Sequence, residues 1–296
     1  MPTFPPAVSR PAAAPDLAAW ATLAVRDFLH DGPRVSMPRP HVQVVVRLGG
    51  AAVGGLDLHV MGPRQRVTRK FIRAGQRLVI ARLRLGASTD VLGLPACELA
   101  GRVVPLAELW GDAATGLLRD RLAAADGTLR VAAELHGALA GRPAAGHEDR
   151  PCARLAVAAA ERLPGRPVAE VAASLGVSER HLRRVFQDVV GLGPKTFARL
   201  VRFRHALDAA RAPRRDNWAG IAVDAGYYDQ AHLIADFRAI AGTAPGALLE
   251  ELRASPGPSP GMATWGPGPQ ALLEAPHASA GPTSAALATG GATAPP

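Results

Sequence analysis

The sequence predicts an α+β chain: a small N-terminal β-sandwich or barrel with helices, then an all-α C-terminal unit built as a double helix-turn-helix. Three observations carry this. Apolar residues alternate between positions 41 and 85, then take helical spacing after Ala87 and again from Leu155 onward. A cluster of Gly, Pro and charged residues, AGRPAAGHEDRP at 140–151, separates the two regimes. Finally, two C-terminal segments repeat one internal layout of small, Gly, capping and apolar positions.

With 296 residues and 48% hydrophobic content, the chain has enough apolar material for a core in each of two domains. No run approaches the roughly 18 to 20 apolar residues of a membrane helix, and the N-terminus lacks a basic start followed by an apolar core. The expectation is a soluble, cytoplasmic protein with no membrane contact. Cys97 and Cys152 are the only cysteines, too few for a disulfide framework or a cysteine-rich zinc site. The net charge of +9 favours a polyanionic partner, but Lys70 and Lys195 are the only lysines, an arginine skew that fits a GC-rich genome. Where the charge lies therefore matters more than its sum.

In the N-terminal unit, a helical pattern is expected from Asp16 to about His30, with Leu17, Trp20, Ala24 and Phe28 on one face and Asp16 as its cap. Strands follow. His41 to Leu48 alternates through Val42, Val44, Val46 and Leu48, with Gly49-Gly50 and Gly54-Gly55 as turns. Leu56 to Met61, Val67 to Ile72 and Gln76 to Leu85 read as further strands. Helical spacing then runs through Pro95 to Leu99, Leu106 to Trp110, Thr115 to Ala125 and Thr128 to Leu139. These helices pack on the β unit or supply a homodimer contact.

In the C-terminal unit, PVAEVAASLGVSERHLRRVF places Val171, Leu175, Val177, Leu182, Val185 and Phe186 at spacings that close two short helices over one core. Gly176 occupies the turn, Ser178 is the expected N-cap, and Glu179, Arg180, His181, Arg183 and Arg184 ring the exposed side. NWAGIAVDAGYYDQAHLIADFRAIAG repeats the layout with Ile221, Ala222, Gly226, Asp229, Leu233 and Phe237, its turn one residue longer. Between them, Pro194 opens a helix expected to reach about Arg211, a rod of roughly 27 Å at 1.5 Å per residue. Major-groove faces on one side of B-DNA recur about every 34 Å, so such a rod could hold two reading helices in successive turns. From Ser178 to Arg215 there are ten basic and three acidic residues, an excess expected to face phosphates.

These residues resemble the DNA-binding domain of AraC/XylS-type transcription regulators, on IAVDAGYYDQAHLIADFRAIAGTAP and on SERHLRRVFQDVVGLGPKTF leading into an arginine-bearing helix. The resemblance spans about Leu155 to Leu252 and implies seven helices, two of them reading helices joined by a linker helix. Departures are Ala231, where serine is common, and Ile234-Ala235-Asp236, where a basic residue often sits. The stretch LHVMGPRQRVTRKF, with RLRLGASTDVLGLPACELAGRVVPLAELWG, is similar to a sensor-like domain often attached to this kind of unit. The division expected is 1–140 for a sensor or dimerisation domain, 141–151 for a linker, 152–253 for the DNA-binding domain and 254–296 for a tail. That tail holds nine prolines and seven glycines but one charged residue, Glu274, and is expected to be disordered.

Carried onto this chain, the resemblance brings Arg180, His181, Arg183 and Arg184 to one major groove and Gln230, Ala231 and His232 to the next. Arginine grips guanine O6 and N7 bidentately and glutamine does the same with adenine N6 and N7, so Arg180, Arg183 and Gln230 are the candidates for base readout. Arg202 is expected on phosphate, and Ser178 and Asp229 beside the groove as caps. The expected partners are double-stranded DNA, RNA polymerase, an unidentified small-molecule effector and a second copy of the chain, with no cofactor or metal. His41, His59, His136 and His147 lack metal-ligand spacing, and no nucleophile elbow or phosphate-binding glycine loop occurs, which speaks against an enzyme. The rivals are a DNA-repair or DNA-modifying protein that uses the unit for targeting, which needs an activated cysteine or a metal cluster, and a helical interaction module.

Overall fold

The computed structural model describes residues 21–50, 52–142, 150–211, 217–255 and 264–265. The N-terminal strands are β1 (Ala21–Phe28), β2 (Gly32–Ser36), β3 (Gln43–Leu48), β4 (Leu56–Met61), β5 (Thr68–Ile72), β6 (Gln76–Leu83) and β7 (Val103–Pro105). The two residues of β8 (Thr264–Trp265) come from far down the chain. An antiparallel sheet orders these as β7-β4-β3-β6-β1-β8, and β2 and β5 pair as a separate ribbon.

Helices α1 (Ser88–Leu92), α2 (Ala96–Leu99), α3 (Leu106–Trp110), α4 (Asp112–Ala123) and α5 (Thr128–Ala140) belong to the same unit. One face of the main sheet, with Leu23, Val25, Val44, Val46, Leu58, Val60, Val79 and Ala81, buries against Leu118 and Leu122 of α4 and Val131 and Leu135 of α5. On the opposite face Phe28, Val45, Leu78 and Ile80 meet Ile72 of the ribbon, so the ribbon is a second β layer. The same strands also carry Arg26, Gln43, Arg47, His59, Gln76 and Arg82 on that second face.

Two expectations are corrected. Residues 21–28 form a strand in place of a helix, paired with β6 over eight positions from Ala21↔Leu83 to Phe28↔Gln76. Trp20, Ala24 and Phe28 are four apart, and a spacing of four shares one face in a strand as well as in a helix, so the pattern could not separate the two. Asp16 to Trp20, the expected start of that helix, lie outside the described residues. Within the tail, Thr264–Trp265 pairs with Leu23 and Ala24 on the outer edge of β1. An open edge offers unpaired N–H and C=O groups to any extended segment, which tail composition does not reveal. The rest of the tail beyond Ser255, His147 and most of the expected linker lie outside the described residues.

His41, just before β3, is 5% exposed, and neither ring nitrogen has a hydrogen-bond partner among the described residues. Burial first, then the charges of Arg82 and Arg39, push its pKa down to about 3. The folded protein holds His41 neutral while the unfolded chain takes up a proton below about 6.5, so stability falls with pH across the window from 6.5 to 3. Between pH 7 and pH 5 the loss should be about 2 kcal/mol. Urea unfolding at both pH values should show it in the wild type and not in His41→Leu; equal slopes in the two proteins would contradict the assignment.

The C-terminal unit is α6 (Pro151–Arg162), α7 (Val168–Ser174), α8 (Glu179–Val190), α9 (Pro194–Arg211), α10 (Trp218–Asp224), α11 (Gln230–Ala241) and α12 (Pro245–Ala254). Their shared core centres on Phe186, Phe197, Phe203, Leu207, Leu233 and Phe237. The α9 helix is continuous over 18 residues, as the sequence predicts.

The two units dock at the C-terminal ends of α8 and α11. Gly191 caps α8 with φ +77°, and a Cβ there would lie 2.6 Å from the Ala96 carbonyl oxygen, so only glycine allows this approach. Val67 donates its backbone N–H to the Ile240 carbonyl at 2.9 Å, and Arg69 donates to the Ala241 carbonyl at 2.9 Å. Both supply donors to the last turn of α11, where helical carbonyls lack partners. Arg69 also grips Glu251 with two nitrogens, at 2.7 and 3.0 Å.

Candidate nucleic-acid interface

Each helix-turn-helix is set by short-range chemistry. In the first, Gly176 turns the chain at φ +68° and the Ser178 hydroxyl accepts the His181 N–H at 3.2 Å, fixing the start of α8. In the second, Gly226 turns at φ +80° and Asp229 accepts the His232 N–H at 2.7 Å. Asn217 caps α10 by accepting from the Ala219 and Gly220 N–H groups, a cap the sequence reading missed although Asn before an apolar run is its signal.

On α8, Arg180 and Arg184 are exposed and Leu182, Val185 and Phe186 are buried, as the spacing requires. Arg183 is half-buried and pairs with Glu179 one turn earlier, and Arg184 lies 3.3 Å from the His181 ring nitrogen. On α11, Gln230, Ala231 and His232 are exposed, and His232 stands edge-on to Tyr227 at 5.2 Å between ring centres. Gln187, Tyr228 and Arg238 are also exposed and were not singled out from the sequence. Tyr228 is 91% exposed beside the α11 cap, while the adjacent Tyr227 is buried; an aromatic doublet split between core and solvent is the available signal.

The expected block of phosphate-facing cations does not hold together. Arg202 is half-buried with its guanidinium 5.5 Å from the Tyr227 ring centre, tying the linker helix to the second turn. Burial first, then Asp236, pushes the Tyr227 phenol above its usual range. Arg199 donates to Asp236 of α11 at 2.7 Å, which accounts for an acidic residue at that position. Arg204 and Arg211 both contact Asp208, at 2.9 and 3.5 Å, and face the N-terminal unit. Arg214 and Arg215 lie outside the described residues. A count along the chain cannot tell which side of an 18-residue helix a cation takes once both sides are covered.

Burial first, then Asp188 and Glu98, pushes the Cys97 thiol above its usual pKa, opposite to what attack requires. Among the described residues no group of three or more His, Cys, Asp or Glu side chains could hold a metal, and no helix is long and apolar enough to cross a membrane.

A helix-turn-helix domain family matches residues 171–251. No curated protein matches the chain. Among solved structures, a probable AraC family transcriptional regulator from Rhodopseudomonas palustris CGA009 is 26% identical, covering 35% of this chain and 98% of its own, with a TM-score of 0.29. A DNA-binding transcriptional dual regulator from Escherichia coli K-12 is 18% identical over 36% of this chain and 96% of its own, TM-score 0.30. ToxT from Vibrio cholerae O395 is 7% identical over 79% of this chain and 98% of its own, TM-score 0.37.

Proposed function

We propose that this protein, whose residues 171–251 match a helix-turn-helix domain family, is a transcription regulator of the AraC type that reads a specific duplex through two adjacent major grooves. The observation that carries this is the pair of side-chain-capped helices, α8 and α11, whose N-terminal turns are exposed and which the continuous α9 helix separates along the chain. Arg180, Arg183, Arg184, Gln230 and His232 face bases, and Lys195 and Arg238 add contact to phosphate. Tyr228 extends the second surface. Arg202 acts through posture, since its stacking on Tyr227 fixes the second reading helix. The N-terminal unit, about 140 residues, binds a small-molecule effector and sets whether the two helices are free to engage. A homodimer and contact with RNA polymerase complete the reading.

The test is a duplex-binding titration against salt. Affinity should fall steeply and linearly in log salt and differ between sequences by about 10³-fold or more. Arg183→Ala should cost about 1 to 3 kcal/mol on the preferred site and relax preference at one or two base pairs. Weak binding that ignores salt and sequence would sink the proposal.

A further inference from the structure

The space between the main sheet, the β2–β5 ribbon and α9 is a cavity of about 410 Å³, well within the range of small-molecule sites. Its wall combines two chemistries. Phe28, Ile72 and Ile80 give an apolar side, while Arg26, Arg39, Arg82 and Arg204 converge on it from β1, the β2–β3 connection, β6 and α9. Arg82 is 5% exposed and Arg34, also on the wall, 8%. The Nε atoms of Arg26, Arg34 and Arg82 are buried without a hydrogen-bond partner among the described residues.

Acids are in short supply there. None of the described residues that line it is acidic; nearby, Asp57 is held by Arg47 at 2.8 Å and His59 at 3.2 Å, and Asp208 is shared by Arg204 and Arg211. Among the described residues Arg26, Arg39 and Arg82 form no ion pair. Removing guanidinium groups from water is unfavourable unless charge and hydrogen bonds replace the water, and like charges brought together add to the cost. The strain shows in the ionisation of the cluster. Arg39 is driven well below its usual pKa by burial and then by Arg82, Arg26, Arg204 and Arg64, and Arg82 falls to about 10 through burial, Arg26 and Arg204. Arginine stays protonated at neutral pH even so, which leaves several buried positive charges facing an open space.

We propose that this cavity is a binding site for a small organic oxyanion carrying at least two negative charges, a phosphate ester or a polycarboxylate, with a modest apolar body. Two carboxylate or phosphate groups would satisfy Arg26, Arg39 and Arg82 bidentately and leave the apolar part against Phe28 and Ile80. Arg204 belongs to the linker helix, so the ligand ties that helix to the sheet and fixes how the reading helices sit on the N-terminal unit. This last step rests on the DNA-binding function proposed above; the binding site itself does not.

The full-length protein is titrated calorimetrically, and its melting followed, with sodium citrate, inorganic pyrophosphate and sodium octanoate at constant ionic strength. Citrate or pyrophosphate should raise the melting temperature by several degrees, the stronger of the two separating polycarboxylate from phosphate chemistry, and octanoate should not. Arg26→Gln should weaken that binding at least tenfold. Arg82→Met should raise the melting temperature of the free protein and abolish the further rise with anion, a combination that a purely structural arginine would not give. Stabilisation that survives in both variants and disappears in Arg180→Ala/Arg184→Ala would place the anion on the exposed reading surface and overturn the proposal. Tighter binding of octanoate than of either polyanion would overturn it too. Duplex affinity is measured separately, with and without the anion. A wild-type change of fivefold or more that is absent in Arg26→Gln supports the regulatory step, and anion binding without any sequence-specific DNA binding would refute the function while leaving the site.

Discussion

Phe203→Ala should lower the unfolding free energy by about 3 to 5 kcal/mol, the range for truncating a fully buried aromatic. Phe203 is 1% exposed on α9, its ring centre 4.6 Å from that of Phe237 on α11, and Phe237 in turn lies 6.0 Å from Trp218 on α10. Three helices of the C-terminal unit thus meet through one aromatic line. Cutting the ring leaves a void that α9 cannot close without bending, because Phe197, Leu200 and Leu207 on the same helix are also fixed in the core. Phe203→Leu should cost about half as much or less, since most of the volume remains. Urea denaturation followed by tryptophan emission measures both; a loss below about 1 kcal/mol for alanine would mean that the linker and the second reading helix are not joined through this contact.

Gly62→Ala should be harsher, with a cost above about 4 kcal/mol, in the range reserved for severe steric conflict. A Cβ at Gly62 would sit 1.6 Å from the Leu99 carbonyl oxygen and 2.3 Å from its carbon, and both are backbone atoms that no rotamer change can move. The Gly62 N–H also donates to the Arg102 carbonyl at 3.0 Å, which ties the end of β4 to the connection between α2 and β7. Ala96, at the start of α2, is the residue against which the Gly191 cap of α8 rests. Damage at Gly62 therefore reaches the first reading helix through one intervening element. Gly246→Ala, on α12 with open space around the new methyl, should be neutral or stabilise by up to about 1 kcal/mol and serves as the comparison. Wild-type melting in Gly62→Ala would contradict this close approach.

Cation placement carries the functional consequence. Of the arginines between residues 178 and 211, Arg180 and Arg184 stay exposed on α8, and Arg183 is held beside them by Glu179. Arg199 and Arg202 act inside the C-terminal unit, and Arg204 turns to the cavity. Positive charge in this stretch thus serves assembly of the fold, and under the proposed function contact with polyanions as well.

Local chemistry was legible from the residues alone. The turns at Gly176 and Gly226, the Ser178 and Asp229 caps and the full length of α9 depend on neighbours within a few positions, and all appear as the spacing demands. The strands β3 to β6 were legible for the same reason, since alternation is a property of the segment itself. Pairing and coverage were not. Residues 21–28 became a strand because β6 offered a partner, and Thr264–Trp265 joined because β1 left an edge. The polar positions Arg26, Gln43, His59, Gln76 and Arg82 carry the alternating signature of a solvated face, yet the ribbon and α9 cover that face and make it the wall of a cavity. Burial of a side chain is decided by what packs over it, and that partner lies tens to hundreds of residues away in the chain.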